Sequence, residues 1–101
     1  MRIFLRDVVI CEDEFYEPPP VSIYLFRAGE RYKIGSSIDP GRRLLDFSTS
    51  PIPVELIWAY RMKDARKIER QLHKFFKEKC CYGEWFELSE ADIKYIKKLG
   101  T

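Results

Sequence analysis

The chain has 101 residues, of which 46% are hydrophobic and 15% aromatic, and this composition favours one packed globular domain over a disordered chain. Its 18 basic and 16 acidic side chains leave a formal net charge of +2, which is too small to indicate nucleic-acid binding by itself. Basic residues are nevertheless concentrated in the segment 61–79 and acidic residues in the segment 12–17. The folded protein can therefore still present a basic face.

The three cysteines, Cys11, Cys80 and Cys81, are an odd number without paired spacing. This usage is typical of a reducing compartment rather than of a disulfide-bonded secreted protein. The two-residue spacing of zinc-binding cysteines is missing, which disfavours a zinc site with His73. No apolar segment is long enough to cross a membrane, so we expect a cytoplasmic protein without a membrane partner.

The first twenty residues are predicted to form an appendage to the core. Residues 2–10 are rich in β-branched and other apolar side chains, which favours a strand. Pro18-Pro19-Pro20 ends the segment, and three prolines favour a stiff, extended connector. We therefore expect an N-terminal appendage with a Pro-rich connector at 1–20 and a compact domain at 21–101. Residues 2–20 are a candidate surface for a second copy or a protein partner.

Two strands at about 21–27 and 31–35, joined by a glycine turn, are predicted to open the domain as a hairpin. Asp39 followed by Pro40 is a typical helix start, with a side-chain acceptor at the cap and a proline at the first helical position. This helix is expected to continue to about Thr49, where a segment with two prolines ends it.

The second half of the chain is predicted to alternate strands and helices. Residues 54–62 follow a strand pattern with one apolar face, formed by Val54, Leu56, Trp58, Tyr60 and Met62. A helix from 65 to about 77 buries an apolar stripe and leaves its opposite face basic. A short strand at 84–88 and a helix capped by Ser89 and Asp92 follow. The order of elements predicts an α+β fold, similar to an α/β sandwich, with a mainly antiparallel sheet flanked by helices.

Short motifs on these elements form an ordered set. They are Ser22-Ile23-Tyr24, Tyr32-Lys33-Ile34-Gly35, Arg43 on the first helix, Glu69 and His73 on the second helix, and Gly83-Glu84-Trp85-Phe86. This set resembles the GIY-YIG nuclease family, and in particular its compact phage and bacterial branch with a Tyr-Lys-Ile-Gly second motif. The resemblance spans about 21 to 88. It implies a small GIY-YIG-type domain that carries a metal-dependent phosphodiesterase site.

The resemblance also implies a role for each matched residue. Tyr24 would orient or deprotonate a water molecule, and Lys33 would assist it or direct its charge at the phosphate. Arg43 would contact the phosphate oxygens, and Glu69 would bind Mg²⁺ or Mn²⁺. His73, one helical turn after Glu69, would contact the phosphate, protonate the leaving group or join the metal shell. Gly35 would permit a close backbone approach.

Each of these residues has a structural alternative. Tyr24 can be an ordinary sheet aromatic, Arg42 can take the role of Arg43, Glu69 can form a surface ion pair, and His73 can be a structural histidine. The chain also departs from the broader family at Ser22, Lys33 and Phe47. The last of these side chains cannot transfer a proton, although the family often has a histidine or tyrosine there.

Two functions fit this pattern. The first is a metal-dependent endonuclease that hydrolyses phosphodiester bonds of nucleic acid, expected to be DNA, and leaves a 5′ phosphate. Its nucleic-acid-binding surface is predicted from basic side chains on two helices, Arg42, Arg66, Arg70 and Lys74. The second is a catalytically inactive nucleic-acid- or protein-binding module of phage or mobile-element origin that retains the same fold.

Overall fold

A five-stranded antiparallel sheet is the centre of the structure, a computed structural model that describes residues 20–100. Its strands lie in the order β3-β1-β2-β5-β4. They are β1 Val21–Ala28, β2 Arg31–Ser37, β3 Val54–Met62, β4 Cys80–Tyr82 and β5 Trp85–Phe86. The predicted α+β class with a mainly antiparallel sheet is confirmed. The predicted appendage at 1–20 lies, apart from its last residue, outside the described residues.

β1 and β2 form the predicted hairpin, and Gly29 in its turn has a φ of +64°. A backbone in this left-handed region is costly for residues with a Cβ atom, so glycine suits the position. β1 also pairs with β3 on its other edge. Four consecutive residues, 23–26, are buried, which means that both faces of the sheet are covered along this strand.

A β-bulge in β3 exchanges the faces to which its side chains point. Leu25 pairs with Trp58, but the next residue, Phe26, pairs with Leu56 and leaves one residue of β3 unpaired between them. Cross-strand partners share a face, so Leu56, before the bulge, lies on the face of Phe26, whereas Trp58, after the bulge, lies on the face of Leu25. The prediction of one continuous apolar face along 54–62 is therefore wrong, because a single inserted residue reverses the alternation.

The described part of the chain also contains three α-helices, α1 Pro40–Leu44, α2 Ala65–Phe75 and α3 Glu90–Lys97. The cap before α1 is as predicted, because the carboxylate of Asp39 accepts a hydrogen bond from the Arg42 amide at 3.1 Å. The predicted capping box of α3 also forms, with reciprocal hydrogen bonds between Ser89 and Asp92. Asp64 precedes α2, but its side chain makes no capping hydrogen bond.

Two helices are shorter than the sequence predicts. α1 gives way to a 3₁₀ segment at Leu45–Phe47, so the expectation of a helix to about Thr49 is wrong in its second half. α2 ends at Phe75, and a 3₁₀ segment at Lys77–Lys79 leads into β4. The strand β4 was not predicted, because three residues are too few to display an alternation. The predicted strand at 84–88 corresponds to the shorter β5.

The main core lies between the sheet and the helices α2 and α3. Its buried members are Ile23, Leu25, Ile34, Ala65, Leu72, Phe76, Phe86 and Ile96. The opposite side of the sheet, termed the Tyr24 face, carries a cross-strand row of partners, namely Leu56, Phe26, Lys33, Trp85 and Tyr82. Phe47, from the segment after α1, packs on this face with its ring 5.9 Å from the rings of Phe26 and Trp85.

Candidate active site

Tyr24 and Gly35 form a tightly packed pair on the Tyr24 face. The two residues are cross-strand partners in β1 and β2, and the Tyr24 residue is only 2% exposed. A Cβ atom built at Gly35 would lie 2.3 Å from the hydroxyl oxygen of Tyr24, far inside van der Waals contact. Glycine therefore provides the space that the tyrosine ring occupies, which explains why the second motif ends on this residue.

Arg43 lies beside Tyr24. Its guanidinium group donates a hydrogen bond to Asp46 Oδ2 at 3.2 Å, and its charge acts on the Tyr24 hydroxyl. Burial raises the pKa of Tyr24 above its ordinary value of 10.0, although the neighbouring Arg43 acts in the opposite direction. The interaction with Tyr24 in turn raises the pKa of Arg43. A neutral, buried tyrosine thus lies beside a permanently charged guanidinium group on a side chain that is 52% exposed.

Lys33 lies on the same face, but its charge is directed inward. Its side chain is 8% exposed, and its Nζ forms an ion pair with Oε1 of Glu84 in the turn between β4 and β5. The Glu84 charge also contributes to the raised pKa of Tyr24. Local sequence patterns provided little reason to place Glu84 in the site, because the two partners are 51 positions apart. Only the pairing of β5 with β2 brings them together.

Glu69 lies on the side of α2 that faces the sheet, with Ala65 and Leu72 at neighbouring helical positions. Its side chain is 16% exposed, and its Oε1 accepts a hydrogen bond from the Ser36 hydroxyl at 2.5 Å. Ser36 directly follows Gly35 at the end of β2, and the Glu69 charge reaches Tyr24 and adds to the rise of its pKa. Ser36 was missed by the sequence reasoning, although a polar residue directly after the motif glycine was a usable signal.

His73 joins α2 to β2. Its Nε2 lies 2.8 Å from the carbonyl oxygen of Ile34, to which it donates when this nitrogen carries the proton. The same nitrogen is 3.7 Å from Glu69 Oε2, and the ring packs 5.2 Å from that of Phe86. These contacts match the structural alternative for His73 and hold the helix beside the motif glycine.

The donor set fits a magnesium or manganese ion held mainly by water. Within residues 20–100, no three or more His, Cys, Asp and Glu side chains gather into a metal cage. Mg²⁺ does not require one, since it commonly binds through one or two carboxylates and keeps several waters. Glu69 meets this need, because Ser36 occupies only one of its oxygens at hydrogen-bond distance and the carboxylate retains free lone pairs.

The predicted basic residues fall into two groups. Arg66, Arg70 and Lys74 are exposed along α2, at spacings that align them on the side away from the core. Arg42 is exposed beside Arg43, and both border an open cavity of about 330 Å³ whose rim also includes Ser37, Ile38, Asp39 and Asp46. The cavity next to Arg43 is the part of this surface closest to the paired Tyr24 and Gly35.

Of the other departures from the GIY-YIG pattern, only Phe47 has a packing explanation. Ser22 lies opposite Ser37 in the hairpin, two residues before Tyr24, and nothing there explains the serine. The ring of Phe47 makes edge contacts with Phe26 and Trp85, and therefore covers the Tyr24 face as part of an aromatic cluster.

The chain matches the model of the T5orf172 domain over residues 22–99, and it belongs to this family. The T5orf172 domain is a phage-associated domain of an endonuclease-like type, so the protein contains a nuclease-like or nucleic-acid-binding module. Comparison with curated proteins and with solved structures gives no match. In the part of the chain from 20 to 100, none of the helices has the length and apolar character needed to span a membrane.

Proposed function

We propose that the protein is a metal-dependent endonuclease of the GIY-YIG type that hydrolyses phosphodiester bonds of nucleic acid, preferentially DNA, and leaves a 5′ phosphate. The observation that carries this proposal is the placement of Arg43 beside the buried Tyr24 and its partner Gly35. Glu69, which bonds Ser36 at the end of β2, supplies a carboxylate whose charge also acts on Tyr24. A cation, a hydroxyl and a carboxylate are groups that phosphodiester hydrolysis uses.

Arg43 binds the scissile phosphate in this proposal. Its charge is permanent and half exposed, and the side chain is already oriented by Tyr24 and Asp46, so little conformational entropy is lost when it binds. Tyr24 is neutral at pH 7, since its ordinary pKa of 10.0 is raised further by burial. Its hydroxyl, beside Arg43, would orient the attacking water.

Glu69 would hold the metal ion, with Ser36 fixing the orientation of the carboxylate. Such an ion, when bound, supplies Lewis-acid stabilisation of negative charge on the phosphate and the leaving 3′ oxygen. His73 positions the helix that carries Glu69, through its contact with the Ile34 carbonyl. Lys33 and Glu84 form a neutralised pair under the site and keep β5 against β2.

The test compares cleavage of labelled duplex, single-stranded and branched DNA, and of RNA, with Mg²⁺, with Mn²⁺ and with chelator. The parent protein is expected to cut only with metal and to leave 5′ phosphates on the products. Glu69→Ala should abolish cleavage and keep nucleic-acid binding, whereas Glu87→Ala, at an exposed glutamate on the protein surface, should leave both unchanged. Cleavage by Glu69→Ala at the parental rate would exclude the metal role.

A binding module without catalysis is the second candidate. The observation in its favour is that Lys33 and His73, two residues expected to serve the chemistry, are both engaged in internal contacts. A pure binder has no use for a metal ion at Glu69, so calorimetric titration with Mg²⁺ separates the two functions. A nuclease should show a binding isotherm that Glu69→Ala removes, whereas a binder should show none in either protein.

The cellular context also belongs to the proposal. An odd number of cysteines without paired spacing is the reason to expect a reducing cytoplasm. A small nuclease domain has little surface for reading sequence, so residues 2–20 would recruit a second copy or a protein partner. Light scattering on the full chain and on a chain that begins at residue 20 tests this part.

A further inference from the structure

A second cavity opens on the Tyr24 face at the opposite end of the β1–β2 hairpin. It has a volume of about 610 Å³, within the usual range for ligand sites. The turn of that hairpin, the loop before β3 and the β4–β5 hairpin enclose it. Its apolar lining includes Phe47, Ile52, Tyr82 and Trp85, and its charged lining consists of Glu30 and Arg31. None of the roles proposed for the candidate active site uses this cavity.

The aromatic lining is accessible to a ligand. Tyr82 is 63% exposed, and its ring stacks on no other ring within residues 20–100. Trp85 is partly exposed, and its ring meets Phe47 in a T-shaped contact at an interplanar angle of 87°. Apolar surface that stays open to solvent in a cavity often marks a binding site. A flat, π-bonded ligand is the chemistry that these rings recognise.

A chain of ring contacts links the cavity to the candidate active site. The rings of Tyr24 and Phe26 stack with centroids 4.2 Å apart, and the contacts continue through Phe47 to Trp85. Tyr82 belongs to the same cross-strand row as Phe26, three strand spacings away, which is about 14 Å. Bases of a stacked strand are about 3.4 Å apart, so a separation of this size corresponds to a few nucleotides.

We propose that this cavity binds an unstacked base of the nucleic-acid strand a few nucleotides away from the scissile phosphate. The base stacks on Tyr82 and Trp85, and the exposed Arg31 contacts the adjoining phosphate. Glu30 disfavours a phosphate on its own side and can accept a hydrogen bond from an exocyclic amine of the base. This inference rests on the proposed function, and it defines the substrate class as single-stranded or locally unpaired nucleic acid.

The test measures binding by fluorescence anisotropy in the presence of chelator, which prevents cleavage. The probes are a labelled single strand of about 12 nucleotides and the corresponding duplex. Tyr82→Ala should weaken single-strand binding about 5- to 150-fold, the range that loss of one base–aromatic stack predicts. Tyr82→Phe keeps the ring and should bind within about twofold of the parent. Duplex binding by both variants should be unchanged.

A second measurement uses variation of the nucleic acid rather than of the protein. Single abasic substitutions are placed at each position of the strand, and one position should lose affinity in the parent protein but not in Tyr82→Ala. Equal affinity of Tyr82→Ala and parent for the single strand would overturn the base site while leaving the nuclease proposal intact. A change in oligomeric mass on Tyr82→Ala, without loss of affinity, would overturn it in favour of a contact between two copies.

Failure of the proposed function gives a different result. If the parent shows the position-dependent loss of single-strand affinity but no metal-dependent cleavage of any substrate, the base site stands and the nuclease proposal does not.

Discussion

Gly35 leaves the space that the Tyr24 ring occupies, so the packing of the hairpin and the geometry of the candidate site depend on one residue. Gly35→Ala should destabilise the protein by about 1–3 kcal/mol, because the added methyl group meets the Tyr24 hydroxyl and ring. The variant should also lose activity, since the Tyr24 ring must move away from Arg43. The urea midpoint and the nicking rate measure the two effects.

Gly41→Ala is the matched control for Gly35→Ala. A Cβ atom there would meet Asp39 Oδ1 at an ordinary 3.5 Å, and alanine favours the helix. Its stability should therefore equal or exceed that of the parent. A Gly35→Ala protein as stable and active as the parent would show that neither stability nor activity depends on the space that Gly35 leaves for the Tyr24 ring.

The ion pair of Lys33 and Glu84 should stabilise the protein mainly by neutralising a buried ammonium group. Glu84→Gln leaves Lys33 buried without its charge partner and should cost about 1–3 kcal/mol, reduced by the 43% exposure of the Glu84 side chain. Lys33→Met in the Glu84→Gln background should recover much of the loss. Urea unfolding of the four proteins of this double-mutant cycle gives the coupling free energy.

The exposed pair of Arg43 and Asp46 provides the comparison. Both side chains are more than half exposed, so Asp46→Asn should change the free energy of unfolding by less than about 1 kcal/mol. A coupling free energy near zero for Lys33 and Glu84 would mean that the buried charge is compensated in another way.

At the scale of elements, α3 begins with a cap whose strength depends on pH. Burial acts to raise the pKa of Asp92, but hydrogen bonds from Lys79 and Ser89 outweigh it and lower the pKa below the ordinary value of 3.8. The charged carboxylate therefore stabilises the fold above that value, and the contribution is lost as the pH falls toward the folded pKa. Asp92→Asn should be less stable than the parent by about 1 kcal/mol near pH 7.

The difference in the free energy of unfolding between the parent and Asp92→Asn should shrink steadily below about pH 4. It should vanish once the Asp92 carboxyl group of the parent is protonated. Chemical unfolding at several pH values measures it. A difference that stays constant down to about pH 2 would show that the charge of Asp92 contributes nothing to the cap.

The sequence predicted the elements that have a strong local signal. The hairpin, α2 and α3 were found because their periodicity or caps lie within a few residues. The bulge in β3 and the short strand β4 were missed, because both depend on the neighbour that each strand pairs with. The segment after α1 was extended too far, since Phe47 leaves the helix to pack on Phe26 and Trp85.

In the candidate site, too, the residues with a local sequence signal were predicted and those that depend on distant partners were not. Tyr24, Gly35 and Arg43 were expected together, and the structure packs Tyr24 on Gly35 with the Arg43 charge acting on the tyrosine. Glu84 and Ser36 were not expected there, because their contacts join residues 51 and 33 positions apart. A pattern on one strand or helix cannot report such a contact, which exists only after the sheet has formed.

At the scale of the whole molecule, the basic side of α2 should bind the nucleic-acid backbone without reading its sequence. Gln substitution of Arg66, Arg70 or Lys74 should reduce the slope of log affinity against log salt by about 0.9 for each phosphate that the variant no longer neutralises. Lys94→Gln, at an exposed lysine of α3, should leave the slope unchanged. Anisotropy titrations of a duplex between about 50 and 200 mM salt provide the slopes.

If substitutions on α3 reduce the slope as much as those on α2, the backbone binds over the whole basic surface rather than along α2. The nucleic-acid backbone would then have no single path past the nuclease site.

Arg43, fixed by Tyr24, is the group on which the proposed chemistry depends most, because it would stabilise the charge of a phosphodiester under attack. The most direct measurement is the rate of nicking of supercoiled plasmid by excess protein with Mg²⁺, compared for parent, Arg43→Ala and Arg42→Ala. Arg43→Ala should be at least about 100-fold slower, whereas Arg42→Ala, which leaves Arg43 beside Tyr24, should stay within about threefold of the parent. Equal rates for Arg43→Ala and parent, or a larger loss in Arg42→Ala, would contradict this role of Arg43.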